Sequence, residues 1–289
     1  MDANRAKHKL LVMCRVYGVS RHGYYAWKRR GKSNRTFEDE ALTDEIFKIW
    51  HQSGKVYGSP KITQALKQQG FRVSQKRVAR LMRENGIKAR VATFYRNNKK
   101  LKDFVAAIPN RELDVMANKP DQVWVGDVTY LKVKGEWRYL SVIMDKCSRK
   151  VVGWSLKDTR DASLTLKSLK QALKNRKPEA GLVFHSDRGI EYRARLYSKR
   201  LEQRGIIQSM NRPKVMNDNA HMESFFHNFK AERYHGRKFN CESSLRGVIT
   251  RYIGFYNNQR LHSSLGYLPP SEYERKINKD NNLMCAKAG

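Results

Sequence analysis

Three acidic residues stand at positions where a carboxylate has little structural reason to be. Asp127 lies inside an apolar, β-branched segment that alternates like a strand, where aspartate is disfavoured. Asp187 directly follows the apolar segment 182–186, and Glu223 lies at the apolar start of a helical segment. Taken singly, such an aspartate is commonly a turn residue, and such a glutamate complements a helix dipole. Their combination instead indicates a functional site that holds a partner group or a cation, because a buried unpaired charge is costly without one.

The order of the segments can bring the two aspartates together. If strand 182–186 pairs in parallel with the strand of Asp127, then Asp127 and Asp187 lie on neighbouring strands about 5 Å apart. Asp187 lies at the carboxyl end of its strand, where α/β sheets place ligands. Glu223 can then complete the set from a helix packed on the sheet. Three converging carboxylates repel one another unless hard cations neutralise them, and an all-oxygen ligand set suits Mg²⁺ or Mn²⁺. Two such ions assist phosphoryl transfer at both the attacking and the leaving oxygen.

A lysine and two histidines lie close to these acids in the sequence. Lys230 follows Glu223 by seven residues, about two helical turns, so that both share one helix face. Lys230 could hold a phosphate beside the metals; the alternative is an ordinary solvated lysine. His185 and His221 are interpreted as local hydrogen-bonding residues, because imidazole is not a usual ligand of Mg²⁺.

Four motifs surround these residues and carry a family resemblance. They are WVGDVTY at 124–130, HSDRGIEY at 185–192, DNAHMESFFHNFK at 218–230, and YNNQRLHSSLGY at 256–267, followed by Pro269. With 35 residues between Asp187 and Glu223, the chain resembles the second-frame (OrfB-type) DDE transposases of two-frame bacterial insertion sequences. The resemblance covers residues 10 to 275. One segment departs from it, NRPKVMN at 211–217, where relatives tend to have a glycine and a cysteine.

The resemblance implies a metal-dependent reaction on DNA. Asp127, Asp187 and Glu223 would be the catalytic and metal-binding triad, holding two Mg²⁺ ions for which Mn²⁺ can substitute. Water would cleave a phosphodiester at the element's end, and the freed 3′-OH would attack a second phosphodiester without a covalent enzyme intermediate. The implied partners are double-stranded DNA, at least one further copy of the chain, and a first-frame (OrfA-type) protein or a fusion to it. The implied location is the bacterial cytoplasm, at the nucleoid.

Two other functions remain open at this point. A nuclease of the same fold would cut DNA without joining it. A DNA-binding regulator with an inert core would bind DNA without any chemistry.

The segments that must position the triad form an α/β pattern. Three strand-like segments at 123–132, 137–145 and 151–156 are joined as hairpins. A helical segment at 163–174, a strand at 182–186, a helix at 192–203 and a strand at 206–209 follow, and further helices come after them. By the resemblance, this is a ribonuclease H-like catalytic core over 120–275, a mixed five-stranded sheet with flanking helices. A polar tail is predicted over 276–289.

The region 1–95 is predicted to be a small all-α domain with a helix-turn-helix. Ser59 with Pro60 in the first turn predicts a helix that ends near Gly70, and Ser74 caps a basic helix over 75–85. A basic second helix after a short turn is typical of a helix that meets DNA. The DNA-contacting residues expected there are Lys76, Arg77, Arg80 and Arg83; a merely solvated basic face is the alternative. Residues 96–119 are predicted to be a basic linker.

The composition excludes several classes of protein. The chain has 289 residues, with 59 Lys and Arg against 27 Asp and Glu, and a formal net charge of +32. Such an excess indicates a polyanionic partner, nucleic acid first and an anionic membrane surface second. No apolar stretch is long enough to span a bilayer, and the polar start of the chain does not read as a secretory signal. The four cysteines lie far apart and form no CxxC pair, which argues against a disulfide scaffold and against a cysteine-rich zinc site. A reducing, intracellular setting is therefore expected.

Overall fold

The computed structural model describes residues 1–30, 33–89, 108–212 and 219–287. Most of the predicted basic linker, and the segment 213–217 of the departing motif, lie outside the described residues. The chain forms two compact units, one of Met1–Gln52 with Gly58–Lys88 and one of Ser53–Tyr57 with Ala89–Gly289.

The described part of the first unit is helical. Its helices are α1 (Leu10–Val16), α2 (Arg21–Arg29), α3 (Asn34–Gln52), α4 (Ser59–Gln68) and α5 (Gln75–Glu84). The Ser74 side chain accepts a hydrogen bond from the Arg77 backbone N–H and caps α5 as predicted. Helix α4 is capped one residue earlier than predicted, because Gly58 is the N-cap and Ser59 is already helical. The apolar face of α5 is buried, with Val78 fully enclosed.

The second unit is built on a mixed five-stranded sheet within the described residues. Its strands are β1 (Val123–Val133), β2 (Glu136–Asp145), β3 (Val151–Lys157), β4 (Val183–Ser186) and β5 (Ile207–Met210). The spatial order is β3-β2-β1-β4-β5. The first three strands are antiparallel hairpin neighbours, whereas β4 and β5 run parallel to β1. The long strand β1 is therefore the strand at which the sheet changes from antiparallel to parallel.

Helices flank this sheet. They are α6 (Ala162–Arg176), α7 (Ile190–Arg193), α8 (Arg195–Glu202), α9 (Ala220–Phe229), α10 (Glu242–Asn258) and α11 (Pro270–Lys287), with a π-helical turn at Lys230–Tyr234 directly after α9. The helix predicted over 192–203 is instead two helices, because Ala194 has an extended ψ of 131°. Helix α11 continues past residue 275, where the sequence predicts the start of a polar tail.

Apolar layers cover both faces of the sheet. On one face Phe225, Phe229 and Tyr252 pack against β1 and β2. On the other face Phe184 and Tyr192 belong to a layer with residues of α6 and α8. The strands β1 and β4, which position Asp127 and Asp187, are thus held between two packed layers. In the described ranges, the helices are all too short or too polar to cross a membrane.

Candidate active site

The two predicted aspartates meet across the pairing of β1 with β4. The parallel register places Gly126 opposite Ser186, so Asp127 and Asp187 each directly follow a paired residue. Neighbouring strands lie about 4.8 Å apart, and the parallel pairing predicted from the sequence is confirmed. The sheet therefore presents both carboxyl groups at adjacent positions.

Glycines beside each aspartate allow this close arrangement. A Cβ atom on Gly126 would lie 2.6 Å from Cζ of the buried Phe184 ring, so only glycine lets the ring pack directly before Asp127. The backbone N–H of Gly189 donates a hydrogen bond of 3.0 Å to Asp187 Oδ1. The Val128 N–H donates one of 2.7 Å to Asp127 Oδ1. Each carboxyl group is oriented by its own local backbone.

Burial and mutual repulsion make this pair hard to ionise. Burial, followed by the charge of Asp187, raises the pKa of Asp127 to about 8. Burial also raises the pKa of Asp187, together with the charge of Glu191, while the Arg160 guanidinium opposes this rise. Two carboxyl groups with raised pKa values in one place disfavour negative charge until a cation arrives. Their all-oxygen donor set fits a hard divalent cation.

An ion pair that the sequence does not reveal lies beside the aspartates. Arg160 donates hydrogen bonds of 2.9 Å from Nε and 2.8 Å from its terminal nitrogen to Glu191 Oε1. The same guanidinium lies 3.9 Å from Asp187 Oδ2. Glu191 is buried, and its Oε2 has no hydrogen-bond partner in the described part of the chain. Glu191 belongs to the HSDRGIEY motif, but its partner is 31 residues away, with no spacing signal to connect them.

Glu223 stands apart from this pair. It is exposed, in the first turn of α9. The start of that helix is attached to β1, since Asn219 Nδ2 donates a hydrogen bond of 3.3 Å to the Gly126 carbonyl. Within the residues that the structure describes, there is no group of three or more His, Cys, Asp or Glu placed to hold a metal ion. The structure thus brings two acids of the predicted triad together and leaves the third at the solvent side.

Lys230 lies at the end of α9 on the side of Asp127. It is half-buried, and its Nζ lies 4.7 Å from the centroid of the Tyr130 ring. Burial lowers the pKa of Lys230, and the negative charge of Asp127 opposes this shift. The side chain is therefore a partly desolvated cation within electrostatic reach of Asp127.

The two histidines differ in their surroundings. His185 is buried and makes hydrogen-bond contacts of 2.9 Å with Ser209 Oγ and 2.7 Å with Asn211 Oδ1. This confirms the prediction that His185 is a local hydrogen-bonding residue. Burial, with the nearby positive charges of Arg149 and Lys146, lowers the pKa of His221 to about 4.

The basic helix α5 of the first unit uses its arginines in two ways. Arg77 Nε lies 2.7 Å from Asp39 Oδ1, and a terminal nitrogen of Arg80 lies 2.6 Å from Asp39 Oδ2. These pairs attach α5 to α3, and the hydrogen bond from Arg80 lowers the pKa of Asp39. Lys76 and Arg83 are exposed instead. The four residues predicted to contact DNA are thus divided between ion pairs and open surface.

Comparisons with known proteins agree with these features. Residues 117–215 and 204–270 each match a family model described as an integrase core domain, and residues 37–94 match an HTH-like domain. The chain is 33% identical over 280 residues to the transposase InsF for insertion sequence IS3A of Escherichia coli K12, covering 96% of this chain and 97% of that protein. It is 36% identical over 270 residues to an uncharacterized 31 kDa protein of insertion element IS600 from Shigella sonnei, covering 92% and 99%.

A solved structure is also similar to part of the chain. The HTLV-2 integrase catalytic core domain in complex with magnesium, in its trimeric form, is 16% identical and covers 54% of this chain and 97% of its own, with a TM-score of 0.43.

The sheet order, the paired aspartates and the family matches define a polynucleotidyl transferase with an integrase-type, ribonuclease H-like core. The chain belongs to the family of insertion-sequence transposases that includes InsF of IS3. The predicted family, fold class and DNA-transposition function are confirmed.

Proposed function

We propose that this transposase cleaves the ends of its insertion sequence and transfers the freed 3′-OH to another phosphodiester, with Asp127, Asp187 and Glu223 as the catalytic triad. The observation that carries this proposal is the adjacent placement of Asp127 and Asp187 at the β1–β4 register. Their raised pKa values support it, because a buried pair of acids gains most from a positive ligand.

The same residues are proposed to hold the metal cofactor. Asp127, Asp187 and Glu223 would hold two Mg²⁺ ions, with Mn²⁺ as a substitute. When bound, such ions supply Lewis-acid stabilisation of the negative charge that develops on a transferring phosphodiester. Glu223 would join the two aspartates from the solvent side of α9, since its carboxyl group is exposed and the start of its helix is attached to Gly126.

Lys230 and Arg160 have separate proposed roles around the triad. Lys230 would hold a phosphate of the DNA strand, because its partly desolvated ammonium lies near Asp127 and faces an open aromatic ring. Arg160 would be a positioning residue. Its guanidinium is held by Glu191 and would partly offset the negative charge of Asp187. Neither residue exchanges a proton in this proposal.

The first unit is proposed to bind double-stranded DNA through exposed cations of α5. Lys76 and Arg83 would contact phosphates, whereas Arg77 and Arg80 would orient the helix through Asp39. The match of residues 37–94 to an HTH-like domain supports this assignment. Among the sequence-predicted DNA contacts, Arg77 and Arg80 are therefore proposed to act indirectly.

The number of protein copies and the cellular location are proposed from the requirements of the reaction. Strand transfer involves two element ends, so at least two copies of the chain would assemble on DNA. A first-frame (OrfA-type) protein, or a fusion to it, is proposed as a further partner on the family resemblance. The substrate would be the bacterial chromosome, which places the reaction at the nucleoid in the cytoplasm.

A labelled element end tests the proposed reaction. Purified full-length protein is incubated with the end and a target duplex in Mg²⁺, in Mn²⁺ or in a chelator, and products are separated on a denaturing gel. The proposal predicts cleaved and joined strands with either metal and neither product in the chelator. Cleavage without joined strands would favour the nuclease alternative, and binding without any product would favour the inert regulator.

A further inference from the structure

Two large aromatic side chains lie exposed on the β1–β2 hairpin beside the active site. Tyr130 and Trp137 are diagonal neighbours on one face, because Tyr130 pairs with Tyr139 and Lys132 pairs with Trp137. Their ring centroids are 5.1 Å apart and their planes are nearly perpendicular, at 89°. Tyr130 is 56% exposed and Trp137 is 45% exposed.

A lysine lies over each ring. The Nζ atom of Lys230 is 4.7 Å from the Tyr130 centroid, and that of Lys132 is 4.6 Å from the Trp137 centroid. We call Tyr130, Trp137, Lys132 and Lys230 the aromatic platform. Exposed rings interleaved with cations are the combination that binds unpaired nucleic acid, since bases stack on the rings and phosphates pair with the cations.

The aromatic platform begins at the active site. Tyr130 follows Asp127 by three residues on β1, and Lys230 lies within electrostatic reach of Asp127. The turn that carries Lys230 is attached to the same strand, because the Lys132 backbone N–H donates a hydrogen bond of 2.5 Å to Tyr234 Oη. Residues three apart on a strand face opposite sides of the sheet, so the link from Asp127 to the Tyr130 ring is Lys230, whose Nζ atom lies 4.7 Å from that ring. A DNA strand that passes from the aspartates over Lys230 therefore meets Tyr130 first and Trp137 next.

We propose that the aromatic platform binds unpaired nucleotides of the DNA strand next to the phosphodiester that is cleaved. This rests on the proposed function, which puts that phosphodiester at Asp127 and Asp187. One base would stack on Tyr130 and the next on Trp137, and Lys230 and Lys132 would move from the rings to the flanking phosphates. In an intact duplex the bases stack on one another and present only their edges, so the aromatic platform selects a strand whose end is unpaired.

The test measures binding without chemistry. Full-length protein carrying Asp127→Asn is titrated into two labelled element ends of the same sequence, one fully paired and one with three unpaired nucleotides beside the scissile phosphate. 2-Aminopurine in the unpaired stretch reports stacking by loss of its fluorescence. We expect quenching by the parent protein, and a loss of affinity for the unpaired end of about tenfold in Trp137→Ala or Tyr130→Ala.

Matched variants distinguish the loss of base stacking from the unspecific effect of removing an exposed side chain. Trp137→Phe keeps a ring and is expected to retain the quenching, and Lys132→Ala is expected to weaken the unpaired complex without abolishing it. Leu196→Ala removes an exposed apolar side chain from α8 and is expected to bind both ends like the parent.

Two outcomes would overturn the proposal. One is an equal loss of affinity for the paired and unpaired ends in Trp137→Ala. The other is a change in molar mass of Trp137→Ala by light scattering, which would make the aromatic platform a contact between copies of the chain. Because these assays do not depend on cleavage, an inactive wild-type protein that still quenches would contradict the proposed function and leave the aromatic platform standing.

Discussion

At the scale of single residues, the site holds several acidic side chains that repel one another and one guanidinium, that of Arg160, that partly offsets this repulsion. Asp127 and Asp187 lie at adjacent register positions, and burial makes the charged form of each unfavourable. Arg160 supplies a positive charge 3.9 Å from Asp187, but most of its hydrogen bonding goes to Glu191. The charged forms of the aspartates are thus only partly neutralised by Arg160, which is the condition under which a divalent cation adds most to stability.

The charge of Asp127 predicts a pH-dependent stability of the metal-free protein. Its folded-state pKa of about 8 lies above the ordinary value of 3.8, so folding favours the protonated carboxyl. This contribution is complete below about pH 4 and is lost as the pH rises through about 8. Asp127→Asn is therefore expected to raise the free energy of unfolding at pH 8 in chelator, by at least about 1 kcal/mol, measured by urea denaturation.

An exposed aspartate provides the matched control for that prediction. Asp158→Asn changes the same chemical group at the exposed position 158 and is expected to leave the pH profile unchanged. An Asp127→Asn protein with the same pH profile as the wild type would contradict the raised pKa of Asp127.

The Arg160–Glu191 pair predicts a metal-dependent defect. In Glu191→Gln the guanidinium loses its ionic partner and is free to pair with Asp187, where it competes with the cation. Cleavage of a labelled end at limiting Mg²⁺ is expected to fall by about tenfold to a hundredfold and to recover at high Mg²⁺. The double variant Arg160→Gln with Glu191→Gln lacks the competitor and is expected to need less Mg²⁺ than Glu191→Gln. The idea fails if both variants show the same Mg²⁺ dependence as the wild type.

At the scale of elements, the sequence predicts the strands better than the breaks between helices. The alternation around Asp127 and the apolar run before Asp187 are local signals, and both strands form with the expected parallel pairing. The break at Ala194 has no such signal, because alanine is a good helix former and only its extended backbone ends α7. The π-helical turn that begins at Lys230 is likewise invisible in residue spacing.

Partners in the site are harder to predict than the acids themselves. The spacing of Asp187 and Glu223 lies within the motifs, but the contacts of Arg160 with Glu191 and of Arg77 with Asp39 join distant segments. A surplus of arginine offers many possible partners to each acid. The sequence therefore predicts a basic face on α5 without showing that two of its arginines belong to ion pairs.

Helix α5 gives a prediction that separates DNA contact from helix orientation. Lys76→Ala is expected to reduce the slope of log affinity against log salt by about 1, because one phosphate contact is lost. Asp39→Asn is expected to lower the melting temperature of the first unit while leaving that slope unchanged, since Arg77 and Arg80 lose their shared partner. Fluorescence anisotropy at several salt concentrations and thermal denaturation supply the two readouts. An equal change of slope in both variants would contradict the separate roles of Lys76 in DNA contact and of Asp39 in helix orientation.

At the scale of the whole molecule, the positive charge is not cancelled by the internal ion pairs. The buried pair of Glu232 with Arg260, at 2.7 Å, and the contacts of Glu274 with Arg176 and Lys150, each at 2.8 Å, use acids and bases in the protein's interior. Such pairs remove acidic groups from the surface, and the chain still carries a net +32. The surface that remains repels itself and attracts a polyanion.

This surface predicts steep salt dependence of DNA binding. If six or more phosphates are contacted, affinity is expected to fall by about a thousandfold between 50 and 200 mM salt, measured by anisotropy with a labelled duplex. Sucrose at matched osmolality is expected to leave the affinity unchanged. An affinity that barely responds to salt would show that phosphate contacts do not dominate the complex.

Glu223, exposed on α9, is proposed to complete a catalytic centre with Asp127 and Asp187. The most direct measurement is the yield of joined strands from a labelled element end in Mg²⁺, comparing wild type, Glu223→Gln and the exposed control Glu202→Gln at equal DNA occupancy. We predict joined product from the wild type and Glu202→Gln and none from Glu223→Gln. Equal yields from Glu223→Gln and the wild type would contradict the claim.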